Sequence, residues 1–130
     1  MTFADAIAVR TLWGECRGEP PEAQKAVAHV LLNRMRDGRW GEDLGSVCLY
    51  ARQFSCWNGD DPNRPKMAAL HDEDPMLLNL GAVLESAKNE SDPTNGALYY
   101  YAISMLNPPS WANGMIPCGQ FGHHKFFKEK

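Results

Sequence analysis

The sequence of 130 residues lacks any apolar run that approaches the ~18 consecutive residues needed to span a bilayer. Its N-terminus also lacks a basic stretch followed by an apolar core, so we expect no signal peptide and synthesis in the cytoplasm. The chain contains no repeats, no low-complexity tract and no interior domain boundary. These absences argue against stable membrane insertion and predict a single domain over residues 1–130.

Clustered metal ligands and paired cysteines are missing as well. The four histidines are scattered without a His-Glu-x-x-His spacing, and the four cysteines form no Cys-x-x-Cys pair. We therefore expect neither a metal nor a cofactor. The cysteine spacing fits no disulfide framework, so we expect free and mostly buried thiols at Cys16, Cys48, Cys56 and Cys118.

The chain also has little positive charge, with 13 Lys and Arg against 16 Asp and Glu and a net charge of -3. Phosphate binding needs a clustered basic surface, so we expect no nucleic-acid partner. The one basic concentration lies near the C-terminus and is typical of a solvated tail: His123, His124, Lys125, Lys128 and Lys130.

Hydrophobic periodicity predicts a mainly helical fold. Apolar residues recur at helical spacing over residues 3–13, 21–38 and 75–89, and a shorter helix is expected over 65–71. Residues 39–66 read as irregular, with one helical turn over 45–50, and residues 92–96 read as a turn. Short strands are expected over 97–102 and 120–127.

The most informative segment runs from Trp13 to Pro21 and places Glu15 and Glu19 around Arg17 at a predicted junction between two helices. A carboxyl beside an aromatic ring and partly removed from water keeps its proton to higher pH, which makes it a usable general acid. The alternative for Glu15 is an ion pair with Arg17 or Arg10. Glu19 is explained more simply as a residue that starts the next helix.

Two further segments combine aromatic and polar side chains. Residues 53–57 carry an amide, a hydroxyl and two aromatic rings, a combination found in sugar-binding clefts, although such rings can also simply fill the core. Three consecutive tyrosines at 99–101 must point to alternating sides if they form a strand, so Tyr99 and Tyr101 share one face and Tyr100 takes the other. One face is expected to be core.

Four ordered blocks of this sequence resemble the SleB-type cell-wall hydrolases. The first runs from Trp13 to Pro20 and continues through residues 23–34, and the second ends in Gln-Phe-Ser at residues 53–55. The third is Asp-Pro-Thr-Asn-Gly-Ala-Leu-Tyr-Tyr-Tyr at 92–101. The last comprises Trp111 and a Gly-x-His-x-Phe ending in which His124 is the matched histidine.

The resemblance implies a lysozyme-like α+β fold, mainly α with a short β element, and cleavage of the β-1,4 bond between N-acetylmuramic acid and N-acetylglucosamine in peptidoglycan. The family's catalytic glutamate falls on Glu15, with Arg17 and Glu19 as supporting residues. The residues expected to bind the glycan strand are Gln53, Phe54, Ser55, Tyr99, Tyr100, Tyr101, Trp111 and His124.

The reaction could finish in two ways. Hydrolysis needs a second carboxylate at a defined distance from the acid, and the candidates are Glu19, Asp60 and Asp61. Lytic transglycosylation needs only one carboxylate, because the C6 hydroxyl of muramic acid replaces water and leaves a 1,6-anhydro end. We favour transglycosylation by Glu15 over a hydrolytic muramidase. A non-catalytic peptidoglycan-binding module and a wall amidase are the other classes considered.

The combination of a small catalytic domain and no signal peptide fits a phage endolysin, a virion component or a domain of a longer host enzyme. We expect the protein to act on the bacterial cell wall as a monomer.

Overall fold

The computed structural model describes residues 2–50 and 53–130. Five helices come first along the chain: α1 at Phe3–Cys16, α2 at Pro21–Asp37, α3 at Leu44–Leu49, α4 at Asn63–Ala68 and α5 at Pro75–Asn89. Three strands follow: β1 at Tyr99–Ala102, β2 at Ile116–Phe121 and β3 at His124–Lys128. Short 3-10 turns lie at Ser55–Trp57 and Ser110–Ala112. The predicted α+β class, mainly helical with a small sheet, is confirmed.

The predicted long helices are present. Helix α2 starts with Pro21 in its first turn and ends at Gly38, whose φ of +90° suits glycine and whose N–H binds the carbonyl of Arg34. Helix α5 matches the predicted 75–89, with the Asp74 carboxylate capping its first N–H groups. Both helices pack on α1 around a core that includes Leu12, Val27, Leu31, Leu80 and Leu84.

Helix α1 extends three residues beyond its predicted end. Gly14 continues the helix because its missing side chain makes room for the 3-10 turn at Ser55–Trp57. A Cβ there would lie 2.7 Å from Cys56 Cβ and 2.8 Å from Cys56 Sγ. Glu15 therefore belongs to the last turn of α1 rather than to a junction between helices.

The prediction of one strand over 120–127 is wrong. The chain reverses at Gly122 and His123, so β2 and β3 form a hairpin, with β3 in the centre of an antiparallel sheet ordered β1-β3-β2. Helix α4 also lies earlier than the predicted 65–71. Among the described residues, no helix is long and apolar enough to cross a membrane.

Candidate active site

Glu15 projects from the last turn of α1 towards the sheet. The hydroxyl of Tyr100, on β1, donates a hydrogen bond of 2.7 Å to Glu15 Oε1. The Tyr100 ring is held in turn by Phe126, stacked at 5.5 Å between centroids, and by His124, edge-on at 5.3 Å. Residues 85 apart in the chain are thereby joined in one fixed contact.

The surroundings of Glu15 favour its protonated form. Burial is the largest cause and raises the pKa of the carboxyl, and the charge of Asp61 raises it further. Hydrogen bonds from Tyr100 and the Cys56 thiol, together with the charge of Arg34, act in the opposite direction without cancelling the effect of burial. A carboxyl whose pKa is raised in this way can deliver a proton closer to neutral pH than an exposed glutamate can.

Glu15 opens onto a cleft of about 370 Å³, which is lined by residues 14–19 together with Asn63 and His124. Arg17 lies at this cleft with its guanidinium 3.9 Å above the Trp13 ring and Nη2 donating to Asn63 Oδ1 at 3.2 Å. Arg10 pairs instead with Asp72 at 2.7 Å. Within the described part of the chain neither arginine forms an ion pair with Glu15, so the alternative structural interpretation of Glu15 is not realised.

Glu19 does not cap α2, because the residue at the N-cap is Pro20 and no side chain bonds the first N–H groups of the helix. Its carboxylate instead accepts from the backbone N–H of His123 at 2.6 Å and lies 3.0 Å from His123 Nδ1. Burial would raise the pKa of Glu19, but the contacts with His123 lower it below its usual value. Glu19 directly precedes the N-cap residue of α2, and its carboxylate also joins the β2–β3 turn to the loop between α1 and α2.

His124 lies between the contact of Glu19 with His123 and the cleft at Glu15. It is buried, and its Nδ1 lies 3.3 Å from Glu19 Oε1, off the direction that a hydrogen bond requires. Burial lowers the pKa of the ring, which favours neutral imidazole. Through its edge-on contact with Tyr100, His124 connects the Glu19 carboxylate to the tyrosine that holds Glu15.

The segment at 53–55 contributes unequally. Gln53 is exposed and accepts a hydrogen bond of 3.1 Å from Arg34 Nη1, and Ser55 is exposed at the start of its 3-10 turn. Phe54 is only 2% exposed, so its ring packs in the core and offers a ligand almost no surface.

Tyr99, Tyr101 and Trp111 lie apart from the residues that line the cleft. The tyrosines alternate as predicted: Tyr100 faces Glu15, whereas Tyr99 and Tyr101 lie on the other face of β1 and contact Trp111 at centroid distances of 5.6 and 5.9 Å. Trp111 is 37% exposed. The structure therefore divides the predicted glycan-binding residues between two surfaces.

Three residues near Glu15 were missed by sequence reasoning. Asn63 lines the cleft, and the Cys56 thiol contacts the Glu15 carboxyl. Arg34 is 5% exposed, donates to the carbonyl of Leu98 at 2.8 Å and forms no ion pair with a described residue. A cation three residues after Leu31 on the buried stripe of α2 was the signal that could have revealed it.

The cysteines do not supply a nucleophile at neutral pH. All four are unpaired, and burial raises the pKa of Cys16 and Cys56 well above the usual range and that of Cys48 to about 12. Over residues 2–50 and 53–130, no group of three His, Cys, Asp or Glu side chains is arranged to hold a metal ion.

Residues 18–127 match the sequence model of the Cell Wall Hydrolase family, and the chain belongs to this family. It is 30% identical over 132 residues to a spore cortex-lytic enzyme of Oceanobacillus iheyensis, a match that covers 94% of this chain and 40% of the relative. The corresponding match in Bacillus subtilis is 30% identical over 121 residues and covers 92% of this chain and 36% of the relative. The chain thus spans about two fifths of the length of these relatives.

Solved structures show the same fold. The catalytic domain of the germination-specific lytic transglycosylase SleB from Bacillus anthracis superposes with a TM-score of 0.76 at 26% identity, covering 98% of this chain and 97% of that domain. The catalytic domain of Bacillus cereus SleB gives a TM-score of 0.77 at 26% identity, over 96% of this chain and 89% of that chain. The resemblance to SleB-type enzymes is confirmed. Glu15 lies just before the stretch that matches the family model, so its role depends on the geometry described above.

Proposed function

We propose that this protein cleaves the β-1,4 bond between N-acetylmuramic acid and N-acetylglucosamine in peptidoglycan as a lytic transglycosylase, with Glu15 as its acid and base. The observation that carries the proposal is a half-buried carboxyl whose pKa is raised by desolvation, held by Tyr100 at an open cleft. Family membership and the likeness to a domain named as a lytic transglycosylase support it. The place of action is then the bacterial cell wall.

In the first step, the protonated Glu15 carboxyl donates its proton to the glycosidic oxygen, and the bond from that oxygen to C1 of muramic acid breaks. Positive charge develops on the sugar as Glu15 becomes a carboxylate. The Tyr100 hydroxyl, 2.7 Å from Oε1, stabilises that carboxylate and fixes its direction.

In the second step, the Glu15 carboxylate takes the proton from the C6 hydroxyl of the same muramic acid. O6 then bonds to C1, which closes a 1,6-anhydro ring and returns Glu15 to its protonated state. No water is consumed, so one carboxylate suffices.

The surroundings of the other acids support this course over hydrolysis. Glu19 is engaged by the β2–β3 turn, and Asp61 accepts the backbone N–H of Asn63 at 2.8 Å. Asp60 is exposed on the loop before α4. Each carboxylate that could have served as a hydrolytic partner thus has a structural task or lies in solvent.

The test replaces Glu15 by Gln, which keeps the shape of the side chain and removes the transferable proton. Release of muropeptides from purified peptidoglycan should fall by at least about 10²-fold. The matched control is Glu42→Gln, at an exposed carboxylate outside the cleft, which should retain parental activity. Activity of the Glu15→Gln chain at the parental rate would contradict the role of Glu15.

Mass spectrometry of the products distinguishes the two reactions. Transglycosylation gives muramyl ends that are lighter by one water than the reducing ends left by hydrolysis. Reducing muramyl ends would reject transglycosylation while keeping glycan cleavage, and free stem peptides without glycan cleavage would reject both. That the protein is monomeric stays a prediction, and a phage endolysin, a virion component and a domain of a longer host enzyme all stay open as its origin.

A further inference from the structure

A second pocket lies on the face of the sheet that points away from Tyr100. The strand register places the side chains of Tyr101, Lys125 and Gln120 on this face, together with those of Phe127 and Pro117. They surround a depression of about 270 Å³, which we call the sheet pocket. None of these residues lines the cleft at Glu15.

The floor of the sheet pocket is aromatic. Tyr101 and Phe127 stack with ring centroids 5.5 Å apart and planes only 11° from parallel. Trp111 supports both from the side, edge-on to Phe127 at 5.8 Å and to Tyr101 at 5.9 Å. Phe127 is only 8% exposed and backs the Tyr101 ring, so the partly exposed Tyr101 ring is the apolar surface that suits the C–H face of a pyranose.

The rim of the sheet pocket is polar and includes a lysine without a partner among the described residues. Lys125 is exposed and forms no ion pair or hydrogen bond with any residue that the structure describes. Gln120 donates to the carbonyl of Gly122 at 3.3 Å, and its own amide oxygen accepts no hydrogen bond from the described residues. The pocket therefore offers one positive charge and one free acceptor beside its aromatic floor.

We propose that the sheet pocket is a second binding site for the peptidoglycan strand, taking a muramyl-containing segment away from the bond that is cleaved. This inference rests on the proposed substrate. Stacking on Tyr101 recognises the sugar ring, and Lys125 recognises the free carboxylates of the peptide that is attached to the lactyl group of muramic acid. On a chain whose net charge is -3, this local cation provides the charge complementarity that an anionic strand requires.

A polymeric substrate makes such a site effective. Once one segment of the strand occupies the sheet pocket, the next segments are presented to the cleft at a high effective concentration, so that apparent affinity rises without new contacts at Glu15. The gain exists only for strands long enough to reach both sites. Short soluble fragments should bind the cleft alone.

The test measures binding to insoluble peptidoglycan by the full chain carrying Glu15→Gln, and compares it with binding to chitin, a neutral N-acetylglucosamine polymer. Adding Lys125→Glu should weaken binding to peptidoglycan about five- to tenfold, less at high salt, and leave chitin binding unchanged. Adding Tyr101→Ser should weaken binding to both. The matched control is Lys66→Glu, the same charge change on α4, which packs on α1 and the Ser55–Trp57 turn rather than on the sheet.

Equal affinity of the Lys125→Glu and Lys66→Glu chains for peptidoglycan would overturn the proposal. It would also be overturned if Lys125→Glu weakened binding to chitin as much as binding to peptidoglycan. In the active background, Lys125→Glu should slow digestion of intact peptidoglycan and leave kcat/KM on a short soluble fragment unchanged. A fall in the cleavage rate on both substrates would show that Lys125 acts at the cleft, against the proposal.

Cleavage by the Glu15→Gln chain would reject the proposed function alone, since the sheet pocket is judged only from differences in binding between variants. Thermal unfolding of each variant verifies its fold. If Tyr101→Ser does not fold, the result for Lys125→Glu alone tests the proposal.

Discussion

A close approach in the site lies at Gly122, in the β2–β3 turn, and substitution by alanine tests it directly. A Cβ at this position would lie 2.7 Å from Glu19 Oε1, 2.8 Å from Ala23 Cβ and 3.1 Å from Pro20 Cδ. The first two distances are shorter than real Cβ contacts, so the turn must move away from the start of α2. That movement would loosen the hydrogen bond of 2.6 Å between His123 N–H and Glu19.

The expected loss has two parts. Gly122 has a φ of +57°, and placing alanine in the left-handed region costs about 1–2 kcal/mol. Forcing a methyl group into a closed contact adds about 1–3 kcal/mol. We therefore expect Gly122→Ala to lower the free energy of unfolding by roughly 2–5 kcal/mol.

Gly96 provides the matched control. Its φ of +92° lies farther from the left-handed minimum, but a Cβ there would meet nothing within 4 Å. If backbone strain alone mattered, Gly96→Ala would therefore lower the free energy of unfolding at least as much as Gly122→Ala. The close approach predicts the reverse order, with Gly96→Ala costing only about 1–2 kcal/mol.

Urea denaturation followed by circular dichroism measures both variants. A difference of about 2 kcal/mol corresponds to a shift of roughly 1 M in the unfolding midpoint at an m-value typical of small domains. Peptidoglycan cleavage by folded Gly122→Ala should also fall, because His124 and Tyr100 are carried by the same sheet. Equal midpoints for the two alanine variants would refute the close approach.

Two further predictions concern protons. Tyr100→Phe removes a hydrogen bond that lowers the pKa of Glu15, so this pKa should rise and the basic limb of the kcat/KM profile should move to higher pH. Activity at neutral pH should fall about 10- to 100-fold, because the Glu15 carboxylate loses the hydroxyl that stabilises it. The exposed Tyr50→Phe is its control, and a basic limb that stays in place or moves to lower pH contradicts the assignment. Burial lowers the pKa of His29, whose ring nitrogens accept or donate no hydrogen bond among the described residues. The charged group that faces the ring most closely is Asp92, and Arg36, Glu90 and Lys25 lie nearby. The unfolded chain then binds more protons than the folded chain, so the urea midpoint should fall as the pH drops below about 6.5. The variant His29→Leu should show a smaller fall, and the part that remains is due to His124. An unchanged pH dependence in His29→Leu would show the reasoning to be wrong.

The helices could be predicted because their signals are local. Helix α5 combines a capping Asp74, a proline at its start and a regular apolar stripe, and its predicted bounds match. Strand β2 could not be predicted in this way. It contains Pro117 and Gly119, lies at the edge of the sheet and is largely exposed, so no alternation of apolar and polar residues marks it.

The residues of the candidate site were predictable only in part, and their arrangement was not. The motif around Glu15 and the tyrosines at 99–101 were recognisable, whereas the contact between Tyr100 and Glu15 depends on where the sheet meets the end of α1. Glu19 shows the limit most clearly: its position before Pro20 suggested the start of a helix, but its carboxylate contacts a turn 104 residues away.

The sequence by itself determined the helical scaffold and the family, and it predicted the glutamate that we propose as the acid, because these depend on short-range periodicity and on ordered motifs. Only the tertiary structure decided the protonation tendency of that glutamate. The pKa of Glu15 is raised because folding buries it, and it is held in place because folding brings the Tyr100 hydroxyl within 2.7 Å. Desolvation and a contact across 85 residues are properties of the packed chain, and no local pattern encodes them.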